Sequence, residues 1–304
     1  MRPYVLLMAT ASLFTQLRRH MAPILPASLR DDAAIVPVVR LAGTIGVGTP
    51  LRPALTLAGV AKSLDKAFAV KGAKAVALVI NSPGGAPAQS HLIYKRIRDL
   101  AAEKHLPVIA FVEDVAASGG YMLACAADEI VADPFSIVGS IGVVSAGFGF
   151  DKALEKLGID RRVYTAGERK VMLDPFQPEK AEDVERLKSL QKDIHAVFAG
   201  LVRARRGDVL TADETTLFSG EFWTAEQAQE FGLVDSIGDL RAFLRARYGE
   251  KVVTPLIQSG GGLFGRRVPG VGAQAESAAA IGAGFADEIV QAAEARALWG
   301  RFGL

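Results

Sequence analysis

Two stretches of the chain, Ala75-Val-Ala-Leu-Val-Ile80 and Pro107-Val-Ile-Ala-Phe-Val112, are apolar without alternation. A strand of that composition has no wet face, so it suits a parallel sheet covered by helices on both sides. The segments around them have helical spacing instead. Thr56 to Val70 puts Leu57, Val60, Leu64 and Phe68 on one face, with Thr56 placed to cap it. Ala88 to Glu103 turns Leu92, Ile97 and Leu100 inward. Ala34 to Leu41 and Glu129 to Ala132 read as strands, and Gly119 to Ala127 as a short helix. Asp151 to Leu157 reads as a helix, Arg162 to Thr165 as extended, and Ala225–Glu230 and Asp239–Tyr248 as helices. Glu179 to Arg206 is the longest helix, with Val184, Leu187, Leu190, Ile194, Phe198 and Leu201 in one apolar stripe. This alternation predicts an α/β domain with right-handed crossovers over residues 34–250.

Composition narrows the function classes. Half of the 304 residues are hydrophobic, enough for a sizeable core, and the net charge is only +2. No broad basic field exists, so no nucleic-acid partner is expected. A single cysteine, Cys125, leaves no internal disulfide and no cysteine-built zinc site. His20, His91, His105 and His195 are scattered, and no histidine metal cluster is expected.

The two ends differ from the middle. Residues 1–33 form a tail whose apolar stretch, Tyr4 to Phe14, falls short of the ~18–20 residues of a membrane span. An interfacial helix or a frayed end fits it, which predicts a cytoplasmic chain with peripheral membrane contact and no transmembrane helix. Residues 251–304 hold a Gly/Ala-rich linker, Gly260 to Gly284, and a weakly amphipathic helix, Asp287 to Leu298. On this reading, truncation after about residue 250 leaves the core folded and its chemistry intact.

Two loops follow the buried strands. Asn81-Ser-Pro-Gly-Gly85 comes after Ile80, and its glycines let backbone N–H groups approach a ligand. Val115-Ala-Ala-Ser118-Gly-Gly-Tyr121 comes after the next strand and sets an uncrowded serine at the start of a helix. Alone, the first is equally an ordinary tight turn and the second a helix cap. Together they match acyl transfer, with a nucleophile at one strand end and oxyanion donors at the next. Ser118 needs a base. His195 lies in the middle of the long helix, and His91 stays open without an acidic residue beside it as orienter. A lysine serves if its environment keeps it neutral. Lys170, in Ala166-Gly-Glu-Arg-Lys170-Val-Met-Leu, lies between an extended segment and an apolar triplet, unlike most of the chain's lysines.

These residues carry a resemblance. Asn81-Ser-Pro-Gly-Gly85 followed by Ala116-Ala-Ser-Gly-Gly-Tyr121 is similar to the signal peptide peptidase A (SppA/SohB) family of bacterial serine–lysine peptidases. The likeness continues through Ala126-Ala-Asp128, Gly139-Ser140-Ile-Gly-Val, Ala166-Gly-Glu-Arg-Lys170, Phe222-Trp-Thr-Ala-Glu-Gln-Ala228 and Gly232-Leu-Val-Asp235, over about residues 35–245. It implies a ClpP/crotonase-type spiral of βαβ units, with Ser118 as nucleophile, Lys170 as general base and Ser140 orienting the lysine. It also implies an oxyanion hole from the Gly85 and Gly119 N–H groups, a peptide or protein substrate, no cofactor, and a homo-oligomer. The long form of the family has two tandem domains and this chain has one set of motifs, so its site lies within one chain or is completed by a neighbour. The competing readings are a crotonase-like acyl-CoA enzyme and a non-catalytic, protease-like scaffold.

Overall fold

The computed structural model describes residues 33–46, 54–167, 169–258, 293 and 296–304. The apolar stretch Tyr4 to Phe14, the linker Gly260 to Gly284 and most of Asp287 to Leu298 lie outside the described residues.

The two unalternating apolar runs are the centre of a seven-stranded sheet. β1 (Val38–Ala42), β2 (Val76–Ser82), β3 (Val108–Ala117), β4 (Glu129–Ala132) and β7 (Ser236–Ile237) lie side by side in that order, every pair parallel. Both faces are covered. Val76, Leu78 and Ile80 pack into the main core beneath α1 (Leu57–Phe68) and α2 (Pro87–Lys104). Ala75, Ala77, Ile109 and Phe111 pack on the other face with Leu244 of α8 (Leu240–Tyr248). Local chemistry sets the helix ends. The Thr56 side chain accepts from the Gly59 N–H, Pro87 stands in the first turn of α2, and Asp239 accepts from the N–H groups of Arg241 and Ala242.

β3 turns the sheet. Its first half, Ile109 to Val112, pairs with β4, and its second half, Val115 to Ala117, pairs with β5 (Ile137–Gly139). The β2–β3 register shifts between Ile80 and Ser82, where Glu113 and Asp114 are accommodated. β5 then pairs antiparallel with β6 (Phe222–Thr224). The result is the expected ClpP/crotonase-type spiral: one strand belongs to the sheet at its start and to a turned strip at its end. Ser118 lies where that strip stops.

Several sequence expectations change. The inward residue of α2 is Ile93 rather than Leu92, which is exposed, because Ile93, Ile97 and Leu100 share the helical phase that faces the sheet. The 162–165 segment pairs with no strand. The stripe on α5 (Ala181–Arg206) is not a core stripe along its whole length. Only Phe198, Ala199, Val202 and Arg206 are buried, while Leu190 and Ile194 are exposed, because the N-terminal half of the helix leaves the sheet. A boundary at residue 250 falls inside the fold. Val253 bridges to Ile35, just before β1, and Leu256 to Val38 of β1, with Val36 N–H donating to Val253 O and Ile257 N–H to Val38 O.

Two of the quoted motifs turn out to be structural. The Asp128 carboxylate accepts from the Val108 N–H and pairs with Arg98 and Arg205. The Arg206 guanidinium, almost fully buried, binds both oxygens of Asp235 and the Gly232 carbonyl. A methyl group on Gly232 would stand 1.9 Å from the Val209 carbonyl oxygen, so glycine is required there. These contacts join α5 to β4 and β7 and explain why Asp128 and Gly232–Asp235 are part of the pattern.

Candidate active site

Ser118 connects β3 to the short, wholly buried helix α3 (Gly119–Ala124). Its backbone has φ 53° and ψ −121°, a conformation that costs a non-glycine residue about 1–3 kcal/mol and persists only where surroundings enforce it. The enforcing contacts are visible. Its N–H donates to Gly139 O at 2.8 Å, and its carbonyl accepts from Met122 N–H at 3.1 Å. The following turn has no room for side chains: a Cβ at Gly119 would meet Ser90 Oγ at 2.3 Å, and one at Gly120 would meet Ser82 O at 2.3 Å. A serine on a sharp strand-to-helix turn presents its hydroxyl outward, the arrangement used by nucleophilic serines elsewhere.

The glycine loop packs directly beside it. A Cβ on Gly84 would lie 2.8 Å from Ser118 Cβ and 2.9 Å from Gly119 N. Gly85 is clamped by Ile45, whose N–H donates to Gly84 O and whose carbonyl accepts from Ala86 N–H. That bridge leaves the N–H of Gly85 itself on the far side from Ile45. Among the described residues, no backbone acceptor faces the N–H of Gly85 or Gly119. Both glycines and Ser118 line one cavity of about 240 Å³. Most of the remaining wall is apolar: Met122 of α3, Val143, and Ile194, Val197, Phe198 and Leu201 of α5. Sequence reasoning missed this wall, because the α5 stripe reads as core when its periodicity is the only information. His91 also lines the cavity.

Ser140 is close to the same turn. It is 4% exposed, has φ 52°, and follows the Gly139 carbonyl that anchors Ser118. Its N–H donates to Glu221 O at 2.6 Å. Lys170 is elsewhere. It is exposed, on a turn at 169–173, and does not line the Ser118 cavity. That turn belongs to an arm, residues 144–180, held by its own contacts. Phe150 N–H donates to Pro175 O, the rings of Phe150 and Phe176 stack at 5.6 Å, and Arg161 lies over the Phe176 ring and pairs with Asp174. α4 (Asp151–Leu157) buries none of its residues, and Phe148, Leu157 and Tyr164 are exposed by 80%, 71% and 91%. The structure therefore gathers Ser118, Ser140, Gly85 and Gly119 and leaves Lys170 apart within one chain. The one thiol is no rival nucleophile: Cys125 is fully buried, and burial pushes it up to about 12.

The sequence is 58% identical over 284 residues to a Brucella abortus protein named Na(+)/H(+) antiporter NhaA, a match covering 92% of this chain and 38% of that one. It is 35% identical over 219 residues to the chloroplastic serine protease SPPA of Arabidopsis thaliana, covering 69% of this chain and 31% of that one. Over 230 residues it is 31% identical to a protease named SohB of Haemophilus influenzae, covering 74% and 62%. The chain thus spans between about a third and three-fifths of the length of these relatives. No helix among the described residues is long and apolar enough to cross a membrane. Among solved structures it is similar to a membrane-bound stomatin-specific protease bound to a substrate peptide, at 17% identity and a TM-score of 0.46, covering 70% of this chain and 80% of that one. The family model described as peptidase family S49 matches residues 101–252, half of the chain and a span that includes Ser118, Ser140 and Lys170. With that match, the protease-named relatives and the serine turn in agreement, this chain belongs to peptidase family S49.

Proposed function

We propose that the chain is a serine-type endopeptidase acting on extended peptides such as signal-peptide remnants or unfolded segments. The observation that carries this reading is the meeting of three groups in one cavity: the Ser118 turn and the N–H groups of Gly85 and Gly119. Ser118 Oγ attacks the peptide carbonyl, and the two N–H groups hold the oxygen as it gains charge. Each such donor is worth about 10²–10³ in rate where it has been removed from other enzymes. The apolar walls beyond Ser118 take an apolar side chain of the substrate.

The base in this reading is Lys170, supplied by a second copy of the chain. Its exposure on the arm, apart from Ser118, motivates this assignment, and so do the arm's bare aromatic and aliphatic side chains, which mark an interaction surface. Neutral Lys170 takes the Ser118 hydroxyl proton as the Oγ–carbon bond forms. The resulting ammonium gives that proton to the leaving amine as the C–N bond breaks. Water then attacks the acyl-enzyme, again with Lys170 as base. Ser140, beside the Ser118 turn, holds the lysine amine.

Subunit mixing tests the whole arrangement. Ser118→Ala and Lys170→Ala are each expected to be inactive toward a peptide substrate and to recover activity when their subunits are exchanged. Two inactive variants that never complement would place both groups in one chain. An active Lys170→Ala would remove the lysine, and an active Ser118→Ala would remove the serine. Lys170→Arg is expected to be inactive, because a guanidinium stays protonated.

A further inference from the structure

Beyond Gln258, the described residues are Ala293 and the terminal stretch 296–304. Leu304 at its end is exposed, but one residue of that stretch is anchored. The Phe302 side chain is 7% exposed and packs on Val115 and Ala117, both fully buried and the last outward-turned residues of β3 before Ser118. Ile137 of β5 and Trp299 complete the cluster, and the Phe302 ring meets the Phe222 ring of β6 edge-on at 5.0 Å. Phe302 therefore sits across the ends of three strands.

Those strand ends are the ones that hold the serines. Phe222 is the register partner of Gly139, whose carbonyl fixes the Ser118 N–H at 2.8 Å. Glu221, the residue before it, fixes the Ser140 N–H through its carbonyl at 2.6 Å. β5 and β6 have only three residues each. Their other face, with Ala116, Val138 and Trp223, belongs to the main core. On the outer face, the hydrophobic cluster is made by Trp299 and Phe302. Ser118 and Ser140 are both non-glycine residues at positive φ, and such backbone stays put only while its surroundings over-determine it.

We propose that the Trp299–Phe302 turn is a latch that positions the nucleophile: it clamps the outer face of the three strand ends and so holds the backbone of Ser118 and Ser140 in place. Phe302 acts through those strands and is a positioning residue. The part of the proposal that concerns catalysis rests on Ser118 being the nucleophile. The part that concerns backbone order does not.

The test uses the full chain, Phe302→Ala, Phe302→Leu and a chain ending at residue 293. Three readouts are taken: the rate of fluorophosphonate labelling, kcat and KM on a peptide, and hydrogen exchange at the Ser118 and Ser140 amides. Phe302→Ala and the truncated chain are expected to label about 10–100-fold more slowly, with kcat reduced and KM little changed, the scale of a misplaced reacting group. Their Ser118 and Ser140 amides are expected to exchange faster while those of Leu78 and Ile109 stay protected. Phe302→Leu, which keeps an apolar plug, is expected to restore most of both properties. A synthetic peptide of residues 296–304 is expected to rescue the truncated chain. A folded Phe302→Ala with wild-type exchange at both amides overturns the latch. So does a variant that loses protection throughout, which makes Phe302 a general stability residue. If the full chain itself fails to label, the peptidase reading falls, and the exchange data alone decide the latch.

Discussion

Replacing Ser118 by glycine is expected to make the protein more stable while destroying its reactivity. At φ 53° and ψ −121°, a residue with a Cβ pays about 1–3 kcal/mol, and glycine pays almost none of it. Glycine also loosens the unfolded chain, which returns about 0.4–1 kcal/mol of that gain. The Ser118 side chain makes no capping hydrogen bond within its turn, so removing the hydroxyl adds little cost. Alanine keeps the Cβ and therefore the strain. The net expectation is that Ser118→Gly exceeds Ser118→Ala in stability by about 1 kcal/mol, or ~2–4 °C in Tm for a domain of this size. Calorimetry on the two variants and the wild type, at one protein concentration, measures the difference. Both variants should fail to react with a fluorophosphonate, so reactivity does not separate them and stability does. A glycine variant no more stable than the alanine variant would refute the claim that the fold stores strain at this residue.

Two further outcomes follow from packing. Arg206→Met removes the guanidinium but keeps its apolar stem, leaving the Gly232 carbonyl without its side-chain donor and Asp235 with only the Ile130 N–H. Because the Asp235 side chain is 27% exposed, the loss should lie at the low end for a broken buried pair, about 3 kcal/mol, seen as a shift in a urea melt. An unchanged midpoint would show that water replaces the ion pair at no cost. Cys125, pushed up to about 12 by burial, should resist an aromatic disulfide reagent at pH 8 in the native protein and react at once in urea. Fast native labelling would mean that the α3 region opens readily.

The parallel sheet was legible because its signal is local. Ala75 to Ile80 and Pro107 to Val112 lack alternation, and only burial on both faces tolerates that. The serine turn and the glycine loop were legible as motifs for a related reason: close backbone approach demands small residues at fixed positions, as Gly119 against Ser90 and Gly120 against Ser82 show. The apolar stripe of α5 was misread because helical periodicity reports which residues share a face and says nothing of what that face meets. Of the stripe only Phe198 and Leu201 meet the core, and they also line the Ser118 cavity with Ile194, while Leu190 and Ile194 are exposed.

By itself, then, the sequence determined the class of sheet, its first four strands along the chain, and the residue types able to do acyl-transfer chemistry. Each of these follows from short-range rules: strand burial, helix caps, and the room that glycine leaves. Only the tertiary structure decided which groups meet. It brought Ser118, Ser140, Gly85 and Gly119 together because β3 shifts register against β2 and leaves β4 for β5 halfway along, changes that no local pattern encodes. It set Lys170 on an exposed arm, and it seated Phe302 against Val115 and Ala117, just before the Ser118 turn, from 184 positions away in the chain. Contacts over such separations depend on how whole elements pack, and a linear pattern of residue types carries no record of that packing.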